Sequence, residues 1–123
     1  MRLAIAEINL QALAHNLAQV RQFAPNSKVM AVLKANAYGH GLVKIAQHLN
    51  DADAFAVARI DEALALRAGG LTKPIVLLEG FFHQDDLPIL LANNFQTIIH
   101  DENQLRALEN AKLDAPISCW LKI

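Results

Sequence analysis

Apolar residues recur at helical spacing along Leu10 to Ala24. Leu10, Leu13, Leu17 and Val20 form one stripe, Asn9 stands where a cap belongs, and Pro25 closes the run. The period then changes. "KVMAVLK" (Lys28 to Lys34) is short, rich in valine and leucine and free of breakers, as a strand is. From Gly41, "GLVKIAQHLN" returns to helical spacing, with Leu42, Ile45, Ala46 and Leu49 on one face. The alternation continues with strands at Ala54–Ala58, Pro74–Gly80, Phe95–His100 and Ile117–Ile123. Helices fall between them: one runs to a glycine cap at Gly69 or Gly70, one spans Asp85–Asn94, and one spans Glu102–Asn110 with Leu105 and Leu108 facing inward. Five strands joined by four helices predict an α/β fold with a parallel sheet and right-handed crossovers. An open doubly wound sheet and a closed (β/α)8 barrel both satisfy this pattern. A barrel takes about 250 residues, and the chain supplies a little over half of one. Its final strand reaches Ile123 with no closing loop, so the expectation is a truncated domain.

Composition narrows the class. The 123 residues are 54% hydrophobic, which suits strands buried on both faces. A net charge of −1 gives no reason to expect nucleic acid or an anionic membrane as partner. The single cysteine, Cys119, cannot form an internal disulfide and fits a reducing compartment. Arg2 is a charged start of the kind signal peptides have, but Glu7, Asn9 and Gln11 interrupt the apolar stretch behind it. No run approaches the ~18 apolar residues of a membrane span. A soluble, cytoplasmic protein is therefore expected.

Candidate chemistry gathers where the first strand ends. In both architectures function collects at the C-terminal ends of parallel strands, and Lys34 is read as the last residue of its strand. Partial desolvation beside Val32 and Leu33 favours the neutral, nucleophilic form of an amine, suited to a Schiff base with an aldehyde. The competing reading is a strand-end lysine that carries its charge to water. Gly39 and Gly41 permit close backbone approach, and the helix behind them offers N–H groups to a phosphate, with the Tyr38 hydroxyl beside it.

"AVLKANAYGHG" (Ala31 to Gly41) closely resembles the pyridoxal-phosphate attachment motif of bacterial alanine racemases. "AEINLQALAHNL" (Ala6 to Leu17) is similar to the family's first helix, and "RIDEALALRAGG" (Arg59 to Gly70) to the helix after its second strand. The resemblance covers the whole chain. It implies that residues 1–123 are the N-terminal portion of a pyridoxal-phosphate-binding barrel. The rest of that barrel and a mostly β domain would lie beyond Ile123, and the whole protein would be a homodimer. It further implies that the parent protein racemises L- and D-alanine, supplying D-alanine for peptidoglycan. Lys34 would hold pyridoxal 5'-phosphate as an internal aldimine and serve as one of two acid/base groups at the substrate α-carbon. Tyr38 would contact the cofactor phosphate. Lys122, in "WLKI", matches a lysine that many members carry as N-carboxylysine. Strand alternation places Ser118, Trp120 and Lys122 on one face, where an inward lysine needs a counter-ion or the loss of its charge.

The other groups the family uses, including a tyrosine from the partner subunit, would also lie beyond Ile123. The chain alone is therefore expected to be inactive, and a non-catalytic pyridoxal-phosphate-binding module of the same fold is the alternative function. His15, His40, His48, His83 and His100 lack paired ligand spacing, so no metal is expected. His40 is read as a turn residue, Cys119 as a packed thiol, and Trp120 as core or barrel filling. Asp61-Glu62 and Asp85-Asp86 are read as helix N-terminal charge.

Overall fold

The computed structural model describes residue 1 and residues 3–123. Arg2, the charged residue of the signal-peptide reading, lies outside the described residues. Helix α1 (Leu10–Phe23) leads into β1 (Met30–Val32), a single turn α2 (Lys34–Tyr38) and α3 (Leu42–His48). Then come β2 (Ala54–Val57), α4 (Ile60–Ala68), β3 (Ile75–Leu77), a 3-10 turn at Gln84–Asp86, α5 (Leu87–Asn93), β4 (Phe95–Ile99), α6 (Glu102–Asn110) and β5 (Cys119–Leu121). Asn9 caps α1 as its position predicts, its Oδ1 accepting the Ala12 N–H at 2.9 Å.

Strand order decides between the two architectures that the pattern allows. The five strands are all parallel and lie in the order β1-β2-β3-β4-β5, each beside its predecessor. A doubly wound sheet reverses direction at a switch point; this one never does. The two faces also differ in what covers them. Leu33, Phe55, Val57, Ile75, Leu77, Phe95 and Ile99 share one core with Leu17 of α1, Ile45 of α3, Leu66 of α4 and Leu90 of α5. The in-register row Val32, Ala56, Val76 and Gln96 lies on the opposite face, which no helix of that core covers. There Trp120 donates its indole N–H to Gln96 Oε1 at 2.8 Å; it lies against the inner face but is 50% exposed, so it is not a core residue. Sequential order with helices on one side is the geometry of a barrel wall. The fold is a partial (β/α)8 barrel.

Several expectations change in detail. The strands are shorter than the apolar runs that announce them, and β1 ends at Val32, two residues before Lys34. Leu105 is exposed on α6, and Gln104 takes the inward position because its amide has backbone partners there. Val20 at the end of the α1 stripe is also exposed. Cys119 is not a packed thiol but an exposed one on the edge strand β5, where it lines an open groove with Leu108 and Ala111. Helix α5 begins at Leu87 rather than Asp85. Asp86 closes the preceding turn, its Oδ2 accepting the N–H groups of Phe82 at 3.2 Å and His83 at 3.0 Å.

The loops at the two sheet ends are tied by a few polar side chains. Away from the strand C-termini, the Arg67 guanidinium donates to the carbonyls of Leu71 and Lys73, both at 2.8 Å, and Asn93 at 3.1 Å. It also lies 5.3 Å from the centre of the Phe95 ring, and burial lowers its pKa. Asp53 joins β2 to the segment before β1, accepting the Val29 N–H at 2.6 Å and pairing with Arg21 at 3.0 Å. At the strand C-termini, Gln104 Nε2 donates to Glu79 O at 3.2 Å and holds the loop after β3.

Gly80 sits under that amide with φ +77, where an added Cβ would meet Gln104 Nε2 and lie 2.7 Å from Ile98 O. Gly70 has φ +85 and open space around it. Gly80→Ala is therefore expected to lose about 2–5 kcal/mol, the left-handed penalty plus overpacking. Gly70→Ala should lose only the first part, about 1–2 kcal/mol. Urea unfolding of both variants checks the difference, and equal losses would contradict this account of Gly80.

The Val29 N–H bond and, after it, Arg21 outweigh desolvation and hold the Asp53 pKa below its ordinary 3.8. A depressed carboxylate contributes stability that is full above the unfolded-state pKa and is lost as pH falls through the folded one. The stability gap between parent and Asp53→Asn should then be constant near neutral pH and narrow below about pH 4. Unfolding midpoints measured across pH 2 to 7 on both chains test this; a gap that keeps its width in acid would refute it.

Candidate active site

The ladder between β1 and β2 continues one residue past the strand, with Leu33 N–H donating to Ala56 O at 2.7 Å. There the chain leaves the extended region, and Lys34 opens a turn at the rim of the sheet instead of ending a strand. It is half-buried, and among the described residues no carboxylate forms an ion pair with its amine.

The turn itself is unusual. Ala35, Asn36, Ala37 and Tyr38 have φ of 53, 56, 53 and 56°, a full turn of left-handed helix built from residues other than glycine. For L-residues that conformation costs roughly 1–2 kcal/mol each, or about 4–8 kcal/mol for the four. It persists only where the surroundings over-determine it, and they do so here. Ala37 N–H donates to Leu33 O at 2.8 Å, Gly39 N–H to Ala35 O at 3.0 Å, and Gly41 N–H to Asn36 O at 3.0 Å. The Ala37 side chain is buried in the core. His40 Nδ1 lies 2.8 Å from Ala37 O, which makes His40 a turn residue, as expected. Asn36 Oδ1 accepts the Leu42 N–H at 2.9 Å. That bond alters one expectation: the leading N–H of α3 is already committed to Asn36, so this helix end offers less to a phosphate than the glycines suggest.

Glu62 completes the arrangement. Its Oε2 accepts the Asn36 N–H at 3.3 Å, while Oε1 accepts those of Ala58 at 3.1 Å and Arg59 at 3.2 Å. Reading Asp61-Glu62 as helix N-terminal charge therefore misses half of what Glu62 does. A glutamate three residues into a helix is a visible capping signal, but its second partner lies 26 residues back along the chain.

Lys34 and Tyr38 thus stand at the two ends of one left-handed turn. Tyr38 is 57% exposed. With His40, Val32 and Leu33 it lines a cleft of about 540 Å³ closed on the far side by Asn9, Leu13 and Asn16 of the α1 region. Lys34 is not part of the wall of that cleft. Lys122 follows β5 at the same end of the sheet, held by its N–H to Ile99 O at 3.0 Å. It is exposed and lies four strands from Lys34 in the sheet order, so these two lysines are not brought together. Among the described residues no three His, Cys, Asp or Glu side chains are grouped to hold a metal ion, and no helix is long and apolar enough to cross a membrane.

Comparison with known proteins gives this rim its context. The family described as alanine racemase, N-terminal domain, matches residues 8–123. The chain belongs to that family. Alanine racemases of Vibrio cholerae serotype O1 and Aeromonas hydrophila are each 61% identical over all 123 residues, which is 34% of their own length. Among solved structures, the biosynthetic alanine racemase of Pseudomonas aeruginosa superposes with a TM-score of 0.88 at 39% identity, covering 93% of this chain and 32% of that one. The Corynebacterium glutamicum alanine racemase gives 0.85 at 32% identity, covering 97% and 35%. The chain thus spans about a third of the length of the alanine racemases it matches, and its five-stranded wall corresponds to the N-terminal barrel of those structures.

Asn36 combines tolerance of the left-handed region with a side chain that caps α3. Asn36→Ala should lose about 1–2 kcal/mol, while Asn36→Asp, which keeps the acceptor, should lose less. Thermal unfolding of the two variants measures this. Equal losses would mean that the Leu42 bond contributes nothing.

Proposed function

We propose that the protein carrying this chain interconverts L- and D-alanine with pyridoxal 5'-phosphate, and that Lys34 is the residue that holds the cofactor. The carrying observation is the left-handed turn, which sets an amine and a phenol four residues apart on the sheet rim of a chain from the alanine racemase family. The residues present fit the group. An amine free of any ion pair among the described residues suits an aldehyde, and an exposed phenol beside the α2–α3 loop suits a phosphate. When bound, the cofactor supplies a ring that draws electron density from the substrate α-carbon. Lys34 Nζ would hold the cofactor's aldehyde and would move the substrate α-proton on one face. Tyr38 anchors the phosphate through its hydroxyl. Lys122, modified to N-carboxylysine, replaces a cation near the rim with an anion. Residues 1–123 are the N-terminal portion of the pyridoxal-phosphate barrel, with the remaining barrel and a β domain supplied by the rest of a homodimeric, cytoplasmic protein. Its product serves peptidoglycan synthesis, without a nucleic-acid or membrane partner.

A second reading has one observation in its favour. Inversion at carbon needs a proton donor or acceptor on each face, and with Tyr38 given to the phosphate the roles above leave Lys34 as the one proton-moving group, in a chain that spans 34% of the length of the alanine racemases it matches. The chain by itself would then be a pyridoxal-phosphate-binding module without catalysis.

Incubation of the chain with pyridoxal phosphate, borohydride reduction and peptide mapping tests the cofactor role. A phosphopyridoxyl group concentrated on the Lys34 peptide, and lost in Lys34→Ala, is the expected result. Labelling spread evenly over the lysines would sink the assignment of Lys34. The same chain in D2O should exchange the α-proton of alanine no faster than free pyridoxal phosphate does. Racemisation at the rate of a complete alanine racemase would overturn the need for a second group outside these residues.

A further inference from the structure

The two carboxylate oxygens of Glu62 serve different elements. Oε1 accepts the N–H groups of Ala58 and Arg59, the usual work of a glutamate at the third position of a helix. Oε2 reaches out of α4 to the Asn36 N–H, at the middle of the left-handed turn between Lys34 and Tyr38. Glu62 is half-buried, and among the described residues no cation pairs with it, so its hydrogen-bonding capacity is directed to these three backbone groups. A left-handed turn of L-residues relaxes toward the right-handed or extended region unless its backbone is tied. Leu33 O ties Ala37 from the β1 side. Asn36 is tied from the β2 side by Glu62 alone among the described side chains.

We propose that Glu62 is a positioning residue, holding the turn through Asn36 and so setting where the Lys34 amine and the Tyr38 hydroxyl stand relative to each other. This rests on the role proposed above for Lys34. It adds that the second βα connection of the barrel, not the first alone, fixes the cofactor-holding amine.

Glu62→Gln separates the two jobs. Glutamine has one acceptor oxygen, which keeps the helix cap because glutamine serves in that position. Its NH2 group then faces the Asn36 N–H, and the tie is lost. In labelling of the full 123-residue chain, the Lys34 amine condenses with the aldehyde of pyridoxal phosphate and releases water. Borohydride then delivers hydride to the resulting carbon–nitrogen double bond. Glu62→Gln should remain folded, its unfolding midpoint lowered only slightly by the loss of one hydrogen bond, while the rate of phosphopyridoxyl incorporation at Lys34 falls about tenfold, as displacement of a reacting group produces. Incorporation at Lys44 and Lys112 serves as the internal reference and should not change. Amide hydrogen exchange gives a readout that needs no cofactor: the Asn36 amide should exchange at least about tenfold faster in Glu62→Gln, with Ala58 and Arg59 unchanged.

Unchanged Lys34 labelling in the variant would overturn the positioning role even if Asn36 exchange rises. Unchanged Asn36 exchange would overturn the tie itself. Should the parent chain show no preference for Lys34, the cofactor reading fails separately, and Asn36 exchange alone then decides whether Glu62 holds the turn.

Discussion

One face of the sheet is under helices and the other is not, and the site geometry follows from that asymmetry. Phe55, Val57, Ile75, Leu77, Phe95 and Ile99 are buried against α1, α3, α4 and α5, whereas the other face carries Val32, Ala56, Val76, Gln96 and Trp120. Right-handed crossovers returning each time to the same side force the strands into sequential order. They also bring every strand C-terminus to a single rim. Lys34, Ala58, Glu79, His100 and Lys122 all follow their strands at that rim, whatever their spacing in the chain.

Within that rim the first connection differs from the others. The segments after β2 and β4 run directly into helices through extended caps at Arg59 and Asp101. The segment after β1 inserts a left-handed turn before α3 begins, and maintains it with hydrogen bonds from three directions. Strain of this size is not needed to join a strand to a helix, since the neighbouring connections do so without it. Its effect is to hold Lys34 half-buried next to the end of β1, and to turn Tyr38 outward over the cleft at the α1 face. Short side chains at Ala35 and Ala37 and an asparagine at 36 are the residues that make the turn affordable. Ala37 buries its methyl in the core, and Asn36 caps the next helix.

Most of the architecture was legible because burial imposes periodicity. All five strands and four of the crossover helices fall where the apolar runs place them, and Asn9 and Gly70 serve the ends assigned to them. What periodicity cannot see is a polar residue taken inward by backbone partners. Gln104 displaces Leu105 from the core because Glu79 O and the His100 N–H satisfy its amide. Backbone handedness is equally invisible to a hydrophobic pattern. The apolar run through Leu33 made Lys34 look like the end of a strand, although the chain has already left the extended region there. Glu62 escaped for a third reason: its local role as a helix cap is complete in itself. Nothing in residues 59–62 signals a partner 26 positions earlier.

The strand order also gives the proposed chemistry a direction. In a ring of eight parallel strands the first and fifth stand across the mouth from each other. A wall that keeps β1 through β5 in sequence therefore sends Lys34 and Lys122 to opposite parts of the rim, not to neighbouring places. Two cations side by side would repel and would each disfavour the other's charge. Set apart, they suit the two different uses proposed for them, one amine to carry the cofactor and one modified to an anion. Only the first of these demands an exact backbone, since it must meet a carbon atom at bonding distance while the second acts through charge. That is the lysine with the left-handed turn behind it, and the one whose turn is tied by a carboxylate from the next helix.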